Sequence, residues 1–207
     1  QDMNLPLMIM LALGAFISSA VLFVYLRAHH RNSLLEIQGK EQLWYLANHD
    51  VLTGLPNRNL FMNRMEQAIA RAQRQGSNFG LLFLDLNGFK QVNDTYGHAA
   101  GDYLLKLFAQ KLQACIRADD SVARLGGDEF VVLLEGISDA EAMEGIALKI
   151  RDSLFKPVTL NGHQVTIGAS IGKATFPLHG RTPDELLRFA DAEMYAEKFP
   201  AGVPGQA

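Results

Sequence analysis

The chain has 207 residues, 48% of them apolar and 20% charged, with a formal net charge of −3. That length allows one ordinary domain with an appendage, or two very small domains, and the composition excludes a wholly disordered chain. No basic excess favours a long nucleic acid as partner, and the lone Cys115 excludes an intramolecular disulfide and a cysteine-based zinc cluster.

The first predicted element is residues 5–26, a run of 22 without a charge. As a helix it would be about 33 Å long, enough to cross a bilayer core. Pro6 sits in the first turn, where a missing N–H costs little. A signal peptide would have a shorter apolar run preceded by positive charge. Here Asp2 precedes the run and Arg27, His29, His30 and Arg31 follow it. A single-pass anchor is therefore expected in the inner (cytoplasmic) membrane, with everything after Arg27 in the cytoplasm. A free cysteine suits that reducing compartment. The chain begins with Gln1 rather than Met, so a preceding region carrying any sensor is expected.

Residues 27–49 read as a linker. Leu34, Leu35, Ile37, Leu43, Trp44 and Leu46 form a loose helical stripe broken by Gly39. It is either a juxtamembrane helix packed on a domain or a stalk that pairs two chains.

Residues 50–199 have the pattern of one α/β domain, leaving 200–207 as an irregular tail. Asn57 should cap a helix to about Arg74, ending before Gly76. Residues 79–86 are a continuous apolar run, expected as a strand buried on both faces. A helix is expected from about 98 to 117. Strands at 121–125 and 130–135 flank Gly126-Gly127-Asp128-Glu129, a hairpin signal. Ser138 and Glu141 read as a capping box for a helix to about Phe155. Asn161-Gly162 suggests a second, smaller hairpin, and 164–172 another strand. Thr182, Pro183 and Glu185 should open a helix to about Lys198. The order predicts a central, mainly antiparallel sheet with helices on one or both faces.

Three places carry chemistry. Asp85 ends the buried strand, where a carboxylate needs a partner. A hard divalent cation is one such partner, and an isolated aspartate there would merely cap a turn. Asp128 and Glu129 put negative charge at a two-glycine hairpin tip, so Asp128 could complete a carboxylate pair with Asp85. Such a pair around an ion would bind nucleotide phosphates and favour in-line attack at phosphorus. Asn93, His98 and Asp102 form the third place, His98 and Asp102 sharing a helix face four residues apart. An aspartate accepts from two adjacent N–H groups, which a guanine edge offers and an adenine edge does not. Taken alone, the trio would be helix caps and surface polarity.

The residues from Asp50 to about Lys198 resemble the GGDEF-domain diguanylate cyclases. The resemblance rests on Asp50-Val-Leu-Thr-Gly-Leu-Pro-Asn-Arg58, Asp85-Leu-Asn-Gly-Phe-Lys-Gln-Val-Asn-Asp94, Tyr96-Gly-His98 and Gly101-Asp102. Arg124-Leu-Gly-Gly-Asp-Glu-Phe130, Ser170-Ile-Gly172 and Ala190-Asp-Ala-Glu-Met-Tyr195 complete an ordered set. It implies a palm-like nucleotide-cyclase fold and condensation of two GTP into cyclic di-GMP and two pyrophosphates. By resemblance, Asp85, the Leu86 carbonyl and Asp128 are the ligands of Mg²⁺ or Mn²⁺, both of which accept such oxygens. Asp128 would also be the base for the 3′-hydroxyl, with Glu129 beside it. Asn93, His98 and Asp102 would bind substrate, and Lys90 and Lys198 would contact the triphosphate. Each domain holds one GTP, so the family requires a homodimer. Arg117-Ala-Asp-Asp120 resembles the family's RxxD product-inhibition site. An ordinary surface salt bridge is the alternative there.

Two departures stand out. Asn87 occupies a position where the family often has a second acid. After Lys198 the family usually continues to Gly-Arg-Asn, whose arginine helps hold phosphate, whereas here Phe199-Pro-Ala-Gly follows. Pro200 should stop the last helix early. The residues thus fit either an active membrane-anchored cyclase or a silent module that binds GTP or cyclic di-GMP.

Overall fold

The computed structural model describes residues 5–137, 139–160 and 162–199, with backbone alone for 5, 6, 17, 20, 24, 28 and 31–38. The elements are α1 (Leu5–Asn48), α2 (Arg58–Gln75), β1 (Phe79–Leu86), α3 (Phe89–Tyr96), α4 (His98–Cys115) and β2 (Ser121–Gly126). They continue with β3 (Glu129–Glu135), α5 (Ala140–Leu154), β4 (Val158–Leu160), β5 (His163–Val165), β6 (Ala169–Phe176) and α6 (Pro183–Lys198). Two units pack separately, one up to Ala47 and one from Asn48 onwards.

In the first unit α1 is one helix that runs through Gly39 without a break, correcting the expected interruption. An interior glycine costs only about 1 kcal/mol against alanine. Leu7–Arg27 is long and apolar enough to cross a membrane by length and composition. Leu43, Trp44 and Leu46 of the expected stripe are exposed, whereas the side chains of Leu34, Leu35 and Ile37 lie outside the described residues.

The second unit is built on a four-stranded sheet in the order β2-β3-β1-β6, with every neighbouring pair antiparallel. In β1 every residue except the half-buried Asp85 is buried, because helices cover both faces. Leu82, Leu84 and Leu86 pack with Phe130, Val132, α4 and α5 on one face. Phe79, Leu81 and Phe83 pack with Val131, Leu133, α2 and α6 on the other. Each fully buried side chain of this size contributes about 1.5–3 kcal/mol.

Local signals set most boundaries. Asn57 accepts from Leu60 N at 3.1 Å to start α2, and Gly76 ends it at φ 62°. Thr182 and Glu185 form a capping box with Pro183 in the first turn of α6. Helix α5 is capped by Asp139, which accepts from Ala142 N, rather than through the expected box; Ser138 lies outside the described residues. The expected strand over 164–172 is corrected: residues 163–165 pair with β4 in the small hairpin, and the sheet strand starts only at Ala169.

The edge strand β6 is closed by side chains. The N–H groups of Ile171, Lys173 and Thr175 donate to Glu197 at 3.3 Å, Glu193 at 2.5 Å and His179 Nδ1 at 2.9 Å. Unpaired edge donors would otherwise template another strand. Two of the three acceptors lie one turn apart on α6, so the same bonds fix that helix beside the sheet.

Candidate active site

Strand β1 delivers Asp85 next to the β2–β3 hairpin. Asp85 is the cross-strand partner of Glu129, and Leu86 N donates to the Asp128 carbonyl at 3.4 Å. The two glycines at the tip have φ of 155° and 49°, and the left-handed Gly127 is what lets the chain reverse before Asp128. Burial, then the nearby Asp85 carboxylate, raises the Asp128 carboxyl above its ordinary value, with Lys198 and Arg124 acting against that. Burial and Asp191 raise Glu129, opposed by Arg58.

Lys198, the last residue of α6, places its Nζ 2.5 Å from Asp85 Oδ1. The predicted phosphate contact is thus beside the predicted metal ligand. Lys90 is exposed in the first turn of α3. Asn87 supplies the acceptor for the buried Ser170 hydroxyl at 2.9 Å, a role that an amide oxygen fills without adding charge. Among the described residues, no group of three or more His, Cys, Asp or Glu side chains is arranged to hold an ion. The expected donors, the Asp85 and Asp128 carboxylates and the Leu86 carbonyl, are all oxygen, a chemistry that suits Mg²⁺ or Mn²⁺ with positions left for substrate phosphate and water.

Asn93, His98 and Asp102 come from two helices. Asn93 lies on α3, an eight-residue helix where the sequence pattern suggests only a turn, and the other two open α4. Gly97 separates the helices at φ 84°, and its N–H donates to Asn93 O at 2.9 Å. His98 and Asp102 are exposed, and Asn93 is half-buried.

Glu129 also lines a cavity of about 430 Å³ with Arg58, Asp184, Arg188 and Asp191. A second cavity, about 610 Å³, is lined by Arg71, Arg117, Asp119 and Glu135. Asp120 is turned into the backbone, accepting from Arg117 N and Glu135 N, each at 3.0 Å. Those bonds set the shape of the Arg117–Asp120 turn.

The pair that holds the hairpin has no role assigned from sequence. Arg124 Nη1 donates to both Asp50 oxygens at 3.0 Å, while its Nε and Nη2 donate to Gly127 O at 3.0 and 2.7 Å. Burial opposes the Asp50 charge, but hydrogen bonds from Thr53 and Arg124 prevail and lower its pKa. Arg124→Ala leaves a largely shielded carboxylate and a hairpin carbonyl without this partner. It is expected to cost about 2 kcal/mol in a urea melt. The Asp50 share of that stability is present above the ordinary carboxylate value of 3.8 and is lost as pH falls through its lowered value.

Residues 47–200 match the family described as diguanylate cyclase, GGDEF domain. The chain is 48% identical over 161 residues to the bifunctional diguanylate cyclase/cyclic di-GMP phosphodiesterase MucR of Pseudomonas aeruginosa, covering 78% of this chain and 23% of MucR. The solved GGDEF domain of TpbB from Pseudomonas aeruginosa is 42% identical, with a TM-score of 0.71, covering 74% of this chain and 90% of that one. The coiled coil and GGDEF domain of DgcB from Caulobacter crescentus, solved with c-di-GMP, is 27% identical with a TM-score of 0.74. That likeness covers 85% of this chain and 95% of DgcB's solved chain. The chain spans 23% of MucR and 36% of full-length TpbB, so it corresponds to a minor part of those relatives. On the family match and the antiparallel sheet that carries its signature hairpin, the chain belongs to the GGDEF diguanylate cyclase family.

Proposed function

We propose that this chain is a membrane-anchored diguanylate cyclase that condenses two GTP into cyclic di-GMP and two pyrophosphates. The observation that carries the reading is the proximity of Asp85 and Asp128: Leu86, next to Asp85, donates its N–H to the Asp128 carbonyl, and the Asp85 charge raises the Asp128 carboxyl. Asp85, Asp128 and the Leu86 carbonyl would hold a divalent cation. When bound, the cation supplies charge neutralisation on the phosphates and alignment for in-line displacement.

The chain's own groups do the rest. Asn93 and Asp102 present acceptors and a donor to the guanine edge, with His98 beside them, and adenine would leave those groups unpaired. Lys198 and Lys90 neutralise the triphosphate. Asp128 takes the proton of the 3′-hydroxyl on a carboxylate oxygen, acting as the general base. The 3′-oxygen then bonds to the α-phosphorus of the second GTP, the α–β bridging P–O bond breaks, and pyrophosphate leaves. The same exchange closes the ring. Each GTP sits in its own domain, so a two-fold homodimer brings nucleophile and electrophile together. Residues 7–27 of α1 would hold the chain in the inner membrane, with the catalytic domain on the cytoplasmic side.

Arg117 would hold product in the inhibition site, which the cavity it shares with Arg71 supports, while Asp120 shapes the turn that presents it. A guanidinium fork there suits phosphate. The full chain in detergent, given GTP and Mg²⁺, is expected to form cyclic di-GMP, and added product is expected to slow it. Arg117→Ala should relieve that inhibition by at least about tenfold, a loss of about 1.4 kcal/mol of product binding. Folded protein giving no product at high concentration would contradict the activity. Phe199-Pro-Ala-Gly in place of the family's arginine segment favours a second reading, a silent nucleotide sensor. Tight GTP binding without turnover would select it.

A further inference from the structure

Glycine in a helix is unfavourable unless something needs its missing side chain or its backbone freedom. Gly97 needs the freedom, at φ 84°. Gly101, in the first turn of α4, has an ordinary helical backbone, so its use is space. It is buried although Asp102 and Tyr103 beside it are exposed. A Cβ placed there would lie 2.0 Å from Asn93 Oδ1, 3.0 Å from Asn93 Cγ and 3.2 Å from Phe89 Cζ. The Asn93 carboxamide therefore lies directly over the bare Cα of Gly101, one residue from Asp102.

We infer that Gly101 is a positioning residue that seats the Asn93 carboxamide and thereby sets selectivity for guanine. The inference rests on the proposed reading of Asn93 and Asp102 as the guanine contacts. The group in the way is the end of a flexible side chain, so a methyl at residue 101 has an easy escape: Asn93 rotates away and the helices stay packed. Alanine is also the better helix former. Gly101→Ala should spare the fold and spoil recognition, a combination that simple helix packing does not give. Packing would instead make the substitution destabilising and weaken every nucleotide alike.

The test uses the full chain in detergent, titrated calorimetrically with 3′-deoxy-GTP, which lacks the attacking hydroxyl, and with ATP. Gly101→Ala is expected to weaken 3′-deoxy-GTP about tenfold, the scale of one lost hydrogen bond. ATP binding and the melting temperature should not fall. Asn93→Ala should give a similar loss. The double variant should bind no worse than Asn93→Ala alone, because the two atoms nearest the Cβ, Asn93 Oδ1 and Cγ, are gone and only the looser 3.2 Å approach to Phe89 Cζ remains. Unchanged guanine affinity in Gly101→Ala overturns the inference. So do losses that add in the double variant, or a lower melting temperature with parallel weakening of both nucleotides. A parent chain that does not prefer 3′-deoxy-GTP to ATP overturns the guanine reading itself, and that result is distinguishable because it precedes any substitution.

Discussion

Asparagine in place of Asp128 is expected to abolish the proposed cyclic di-GMP formation and, in chain free of divalent cations, to raise the melting temperature at neutral pH. The first effect follows from the proposed roles. An amide keeps the shape but is neither an anionic ligand nor a proton acceptor, and loss of general-base function alone costs about 10²–10⁴-fold. The second follows from the direction of the shift. Burial and the Asp85 charge raise the Asp128 carboxyl above its ordinary value of 3.8. A carboxyl raised in the folded state holds its proton there after the unfolded chain has released it. Stability therefore falls as pH rises through that window, and the whole penalty is present above it. The uncharged amide of the Asp128→Asn variant carries no such penalty. The gain in melting temperature should be present at neutral pH and shrink as pH falls toward 3.8. Thermal melts with and without chelator, run beside a product assay, read both effects. Retained turnover contradicts the assigned role, and a lower melting temperature at neutral pH contradicts the electrostatics.

Gly172→Ala is expected to be among the most destabilising single changes in the domain. A Cβ at residue 172 would lie 1.8 Å from Ala190 O and 2.4 Å from Met194 N. Both are helix backbone atoms, so neither can turn aside as the Asn93 amide can. Relief requires lifting α6 from β6. That motion breaks the Glu193 and Glu197 bonds to the edge strand and withdraws Lys198 from Asp85. Overpacking against backbone costs about 3 kcal/mol, or roughly 6–12 °C for a unit of this size. Differential scanning calorimetry measures it, and a shift within about 2 °C would show that α6 does not bear on β6 this closely.

Much of the frame was legible because it is written locally. The apolar run at 79–86 has no room for solvent on either face, and Thr182, Pro183 and Glu185 spell a helix start. Other elements depend on partners distant in sequence. Val165 and Ile167 carry an alternating pattern into β6, yet pairing of 163–165 with β4 ends that register and delays the sheet strand to Ala169. Helix α3 is eight mostly polar residues between Gly88 and Gly97, too short for a helical period to emerge. Asp139 rather than Ser138 caps α5, because either residue type suits a cap and only the chain path chooses.

The site divides in the same way. Asp85, Asp128, Asn93, His98 and Asp102 stand out as polar residues at strand ends and helix starts. The groups that hold them in place do not. Arg124 reaches Asp50 across 74 positions, and Glu197 reaches Ile171 across 26. Nothing in spacing marks either pair. The value of Gly101 and Gly172 is likewise invisible until the atom that fills the missing Cβ position is known.

In the proposed reaction Asp85 and Asp128 together grip one divalent ion under the nucleotide phosphates. Paramagnetic titration of Mn²⁺ into the full chain with 3′-deoxy-GTP tests it most directly. The account predicts one nucleotide-dependent site per chain, weakened at least about tenfold, or about 1.4 kcal/mol, by Asp85→Asn and by Asp128→Asn separately. Identical titration curves for the parent and both variants would contradict it.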